Sequence, residues 1–212
     1  GFITTDAKIS SKCLAQLLKE AVDRSFNMIS VDGDTSTNDM VLALANGQAG
    51  NQLIDDPKSE SAQTFKQALD YIAISLAKMI ARDGEGANHL VEVQVKNAAD
   101  AEAAKKIARS ITSSSLTKAA IFGEDANWGR ILAAAGYSGA EFDPGKVDIY
   151  LGEEMVARDG MGLVFDEELA RQELQKDTVV IIVDLKAGDY STTAWGCDLS
   201  YDYVRINAAY RS

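Results

Sequence analysis

A mixed α/β fold with layered packing is predicted from three observations. Apolar residues recur at helical spacing over residues 10–26 and again after Pro57. Short runs read as strands: Val91, Val93 and Val95 alternate with polar neighbours, and residues 179–183 are continuously apolar. The two patterns interleave along the chain, and only 2 prolines interrupt them.

The elements follow in order. In residues 10–26, Cys13, Leu17 and Ala21 line up at i, i+4 and i+8, and Ser10 or Ser11 can cap the helix. Residues 28–31 read as a short strand running into the acidic loop 32–39. Residues 40–45 read as another strand, closed by Asn46-Gly47. Asp56 can cap a second helix with Pro57 in its first turn. Phe65, Leu69, Ile72, Leu76 and Ile80 then form its apolar stripe, and Gly84 is placed as its C-terminal cap. Past Gly86 the pattern predicts a strand at 90–95, a helix at 99–111, a strand at 117–122 and a helix at 128–135. A strand at 147–151, a helix at 166–175 and strands at 178–185 and 192–199 complete the series. Residues 201–210 fit either a strand or a short helix. A boundary near Gly86 divides the chain into residues 1–86 and 87–212.

Composition narrows the function. The 212 residues carry 21 Lys+Arg against 32 Asp+Glu, a net charge of −11. That balance argues against nucleic acid, whose phosphates need cationic partners, and against an anionic membrane surface. No apolar run approaches the ~18 residues of a membrane span. Cys13 and Cys197 make no disulfide framework and suit free thiols in a cytoplasmic chain. His89 is the single histidine, so multi-histidine metal sites are excluded within the chain and any histidine-based triad would have to use it. Gly1-Phe2-Ile3 opens in mid-pattern, as a tag remnant or the downstream piece of a longer polypeptide would.

Four segments could carry chemistry. Asp32-Gly33-Asp34 follows an apolar strand and resembles the Asp-x-Asp of haloacid-dehalogenase phosphotransferases, with Asp32 as nucleophile and Asp34 as proton donor. The bland alternative is a turn tied by its own Asx and Ser/Thr bonds; an EF-hand is excluded because Thr37 stands at the glycine position and Ala43 at the final glutamate. Glu85 sits between Gly84 and Gly86, just past a helix C-terminus whose negative field disfavours ionisation. That suits a general acid/base, and the alternative is an exposed residue in a cap turn. Residues 123–130, placed between a strand and a helix, could bind a ligand, or Asp125 or Asn127 could simply cap the helix. Aromatic and apolar residues from Trp195 to Tyr210 suggest a docked terminus, with Trp195 and Tyr203 packed and Cys197 a small buried hydrophobe.

Taken together and in order, these segments resemble one family. Gly1-Phe2-Ile3-Thr4-Thr5-Asp6-Ala7, Val31-Asp32-Gly33-Asp34-Thr35-Ser36-Thr37-Asn38-Asp39 and Asp83-Gly84-Glu85-Gly86-Ala87 carry the resemblance. So do Phe122-Gly123-Glu124-Asp125-Ala126-Asn127-Trp128-Gly129-Arg130, Ala194-Trp195-Gly196-Cys197-Asp198-Leu199 and Tyr203-Val204-Arg205-Ile206-Asn207. With Tyr210-Arg211-Ser212 they span nearly the whole chain and are similar to the β chain of ornithine acetyltransferase, or glutamate N-acetyltransferase, an arginine-biosynthesis enzyme. The resemblance implies self-cleavage of a precursor before a threonine that becomes the acyl-accepting nucleophile. That threonine would lie three residues before Gly1, outside this sequence; Thr4 and Thr5 do not match it by motif. Acetyl would pass from N-acetylornithine to the threonine and then to glutamate, a ping-pong transfer. The resemblance further implies that Glu85 handles protons and contacts substrate, and that Asn207 and Ser212 bind substrate. Ser212 stands where the family commonly has Thr, keeping the hydroxyl. An α chain would supply an oxyanion-hole Thr-Gly pair and a substrate-binding Lys, in an α2β2 heterotetramer.

Under that reading, residues 1–86 complete a layered α-β-β-α core with the α chain. Residues 87–212 form a second, smaller α/β lobe whose tail returns to the active site. No metal or resident cofactor is implied, and acetyl-CoA would enter only as a substrate. Two rivals stand beside it: a Mg²⁺-dependent phosphatase using Asp32 and Asp34, and a non-catalytic subunit.

Overall fold

The computed structural model describes residues 1–210 and confirms a mixed α/β fold. Two compact units emerge, one of residues 1–27 and 35–77, the other of residues 28–34 and 78–210.

The first unit is built on strands β1 (Phe2–Thr5) and β3 (Leu42–Ala45), which pair in parallel with Ile3 opposite Ala43. Ile3 points into the core, whereas Phe2, Leu42 and Leu44 on the other face are exposed, as the two-residue period of a strand requires. Helix α1 (Ser11–Arg24) is capped by Ser10, whose Oγ accepts from the Cys13 amide. Its face of Cys13, Leu17 and Ala21 is buried as the spacing predicted, against Ile3, Ile54, Ala62, Leu69 and Ala73.

Helix α2 (Glu60–Arg82) corrects two expectations. Asp56 does not cap it: its Oδ1 accepts from Lys58 N in a preceding turn, and Ser59 Oγ receives the Ala62 amide. The buried face is the expected one only in part: Leu69 is buried and Phe65 and Leu76 pack against the core cluster. Ala62, Leu69, Ala73, Ala77 and Ala81 are buried, while Ile72 and Ile80 are 43% and 45% exposed. The additional buried positions are alanines, whose small side chains hid that face from a reading based on large apolar residues.

The second unit holds a seven-stranded sheet in the order β2 (Ile29–Ser30), β9 (Tyr190–Cys197), β4 (Leu90–Ala98), β8 (Thr178–Asp184), β5 (Asp148–Leu151), β6 (Glu154–Arg158) and β7 (Met161–Gly162). β4 runs antiparallel to β9 and parallel to β8. Val91, Val93, Val95, Val179, Ile181 and Val183 are all buried. Helix α3 (Ala101–Ser113), capped by Asp100, packs on β4 and β9 and meets α5 (Trp128–Gly136). Helix α6 (Glu167–Leu174) packs on β5, β6 and β8. The hairpin of β6 and β7 turns at Asp159-Gly160, both at positive φ, a turn signal present in the sequence but not read as one.

Residues 115–122 are a helix, α4 (Ser115–Phe122), and not the predicted strand. Ser114 caps it, and Thr117, Lys118, Ala120 and Ile121 are buried at helical spacing. A short apolar run has no period of its own, so packing decided. In consequence residues 123–127 join two helices, not a strand and a helix; Asn127 caps α5 by accepting from Arg130 N. The ambiguous tail is helix α7 (Tyr201–Ala209), capped by Ser200.

In this sheet Glu92 receives hydrogen bonds from Lys78 Nζ at 2.9 Å, Gln94 Nε2 at 2.8 Å and Trp195 Nε1 at 2.9 Å. Burial pushes its pKa up, but these donors and the Lys78 charge outweigh it and hold the carboxyl below its ordinary value. A depressed native pKa stabilises the fold above the ordinary carboxylate range, and that contribution is lost as pH falls through the native value. Glu92→Gln should therefore flatten the acid limb of stability, read as urea midpoints from about pH 7 to about pH 3. An unchanged slope would remove Glu92 from the acid transition.

Candidate functional site

The site is built around the turn after α2. Asp83 N donates to Met79 O and Ala87 N to Gly84 O at 3.0 Å each, closing residues 84–87 into a turn with Glu85 exposed at its tip. Both flanking glycines have a steric reason. A Cβ on Gly84 would come within 3.0 Å of Cys197 Sγ and of Val31 Cγ1. At Gly86, φ is +68°, and a Cβ would lie 2.6 Å from the Tyr203 amide nitrogen. The turn thus lies flush on β9 and on the first turn of α7.

Behind Gly84, Lys118 is 3% exposed. Its ammonium donates to Val31 O at 2.6 Å and to Cys197 O at 2.5 Å, with Cys197 Sγ at 3.5 Å. One buried cation therefore ties together the ends of β2 and β9, where the chain enters Asp32 and Asp198. Burial raises the Cys197 thiol pKa, and the Lys118 charge opposes it only in part. The thiol stays protonated, an interior group and not a nucleophile. Asp198 in turn accepts from Asn88 N at 2.8 Å, Asn88 Nδ2 at 2.9 Å and His89 N at 3.0 Å, fixing the start of β4. His89 Nδ1 is paired with Lys176 O at 2.8 Å.

The acidic loop is a self-bonded turn. Asp32 Oδ1 accepts from Asp34 N at 2.9 Å, and Ser36 Oγ accepts from Asn38 N. Asp32 Oδ2 accepts from the Tyr203 hydroxyl at 3.0 Å. Burial, that hydrogen bond and the charges of Asp32, Asp34 and Glu85 all raise the Tyr203 phenol pKa, so the hydroxyl keeps its proton. Among the described residues no group of three His, Cys, Asp or Glu side chains is placed to hold a metal ion. Asp32, engaged on both oxygens, is not favoured as a phosphatase nucleophile.

The turn that carries Glu85 packs on Cys197 and on the Tyr203 backbone through its two glycines, and the Glu85 charge contributes to the raised pKa of both side chains. Asn207 lies one helical turn beyond Tyr203, its Nδ2 donating to Tyr203 O at 3.0 Å. Ser212 lies outside the described residues. Lys118 was missed by sequence reasoning; its signal was a lone cation in the apolar run of residues 116–122. Asn127, Gly129 and Arg130 line an open cleft of about 530 Å³ with Ser113, Ser114 and Ser115, none of which belongs to the Glu85 cluster. Among the described residues no helix is long and apolar enough to cross a membrane.

Comparison with known proteins matches the chain to a family. The ArgJ family model covers residues 1–212. A protein of Symbiobacterium thermophilum named arginine biosynthesis bifunctional protein ArgJ is 58% identical over 212 residues, which are all of this chain and 52% of that protein. A protein of the same name from Caldanaerobacter subterraneus subsp. tengcongensis is 52% identical, covering all of this chain and 53% of its own length. The chain spans about half the length of the curated relatives it matches. The crystal structure of arginine biosynthesis bifunctional protein argJ from Bacillus halodurans superposes with a TM-score of 0.96 at 47% identity, covering 99% of this chain and 98% of that one.

Proposed function

Because the chain belongs to the ArgJ family, we propose that it is the β chain of an acetyltransferase of arginine biosynthesis, moving acetyl from N-acetylornithine to glutamate. The observation that carries this reading is the presentation of Glu85: an exposed carboxylate on a glycine turn packed on β9 and on α7. In the proposed ping-pong cycle a threonine three residues before Gly1 attacks the acetyl carbonyl. Glu85 relays the proton between nucleophile and departing amine, and Asn207 and Ser212 hold the substrate. Acetyl-CoA would serve, if used, as an alternative donor and not as a resident cofactor.

An α chain from the same precursor completes the enzyme as α2β2. The exposed Phe2, Leu42 and Leu44 on one face of the two-stranded sheet support a layer contributed by that chain over residues 1–86, with residues 87–212 as the second lobe. Cytoplasmic location is part of the proposal and rests on the biosynthetic names of the relatives. The net charge of −11 argues against nucleic acid as a substrate.

Intact-mass analysis tests the mechanism. Incubating the protein matured from its full-length precursor with N-acetylornithine, without glutamate, should add one acetyl group to the β chain, located on its first threonine. Adding glutamate should discharge it. No adduct, or an adduct on a residue within 1–212, would overturn the reading.

A further inference from the structure

Helix α7 is a nine-residue helix with no buried residue, and Tyr201 and Val204 are exposed. A helix that short is marginal without tertiary contacts. Its seat consists of a few directed contacts: Ser200 Oγ donates to Gly86 O at 2.6 Å, the Tyr201 ring meets Phe122 edge-on at 5.3 Å, and Tyr203 Oη donates to Asp32 Oδ2 at 3.0 Å. The first two act at the start of the helix, where Gly86 also lies against the backbone of Asp202 and Tyr203. The third lies further along, on the side chain one turn before Asn207 and on the same face. Its acceptor is held in place on both sides: Asp32 Oδ1 is bonded to Asp34 N, and the preceding Val31 carbonyl is pinned by buried Lys118.

We propose that Tyr203 is a positioning residue whose hydrogen bond to Asp32 latches α7 to the acidic loop and sets where Asn207 meets the substrate. The latch explains the acidic turn without metal or phosphoryl chemistry: Asp32 offers a charged acceptor at a fixed point. Its substrate clause rests on the role proposed above for Asn207.

The test uses Tyr203→Phe, which removes one hydroxyl from a partly exposed ring, in the protein matured from its full-length precursor. Hydrogen exchange across residues 201–209 should accelerate by about three- to tenfold, the scale of one ordinary net hydrogen bond, since this one is exposed to solvent. KM for N-acetylornithine and glutamate should rise on the same scale, with kcat changing far less. In an Asn207→Ala background, Tyr203→Phe should add less than about twofold to KM, because both act through one contact. Unchanged exchange, an unchanged KM, or effects that multiply fully with Asn207→Ala would each overturn the latch. Should the unsubstituted protein transfer no acetyl, the functional reading falls with the substrate clause, while exchange over α7 still decides the latch.

Discussion

Glu85→Gln should lower acetyl transfer by about 10²- to 10⁴-fold in kcat, the usual worth of a positioned general acid/base. The amide keeps the shape and the polarity of the side chain and loses the proton relay. Glu85 is exposed at the tip of its turn, so stability should change by less than about 0.5 kcal/mol. Single-turnover acetylation by N-acetylornithine, alongside a thermal melt, separates the two effects. An inactive protein with an unchanged melt supports the proposed role. Full activity would move the proton transfer to another group and leave Glu85 as an ordinary turn residue.

Lys118→Met should be strongly destabilising. Methionine fills a similar volume but leaves the buried Cys197 carbonyl and the part-buried Val31 carbonyl without the ammonium. Each orphaned acceptor costs about 1–3 kcal/mol, partly offset because the buried ammonium no longer needs desolvation. A net loss of about 2–4 kcal/mol would lower the melting midpoint by roughly 5–15 °C in a protein of this size. The damage should reach the site, since Gly84 rests on Val31 and Cys197. A melt within about 2 °C of the unsubstituted protein would show that water or a backbone shift satisfies both carbonyls.

Much of the fold was legible locally. The stripe of Cys13, Leu17 and Ala21 became the buried face of α1, and the alternating valines of β4 became its buried positions. The failures share a cause. In α2 the larger Ile72 and Ile80 drew the eye from the alanines that are in fact buried. In residues 117–122 an apolar run without a period was assigned to a strand, although Ser114 stood ready as a helix cap. The Asp159-Gly160 hairpin is readable from its dipeptide, whereas α7 carries no apolar period because its nine residues bury nothing.

The family resemblance is carried by the sequence itself, and so are the helical and strand periodicities, which depend on neighbours a few residues away. That Gly84 and Gly86 have no room for a side chain is decided by Val31, Cys197 and Tyr203. What tertiary structure alone decided is the company those residues keep. Lys118, Val31 and Cys197 are far apart in sequence, as are Asp32 and Tyr203, and Asp198 and Asn88. No local pattern encodes such meetings. They arise when the sheet sets β2 beside β9 and β9 beside β4, leaving buried carbonyls and amides that each need a partner.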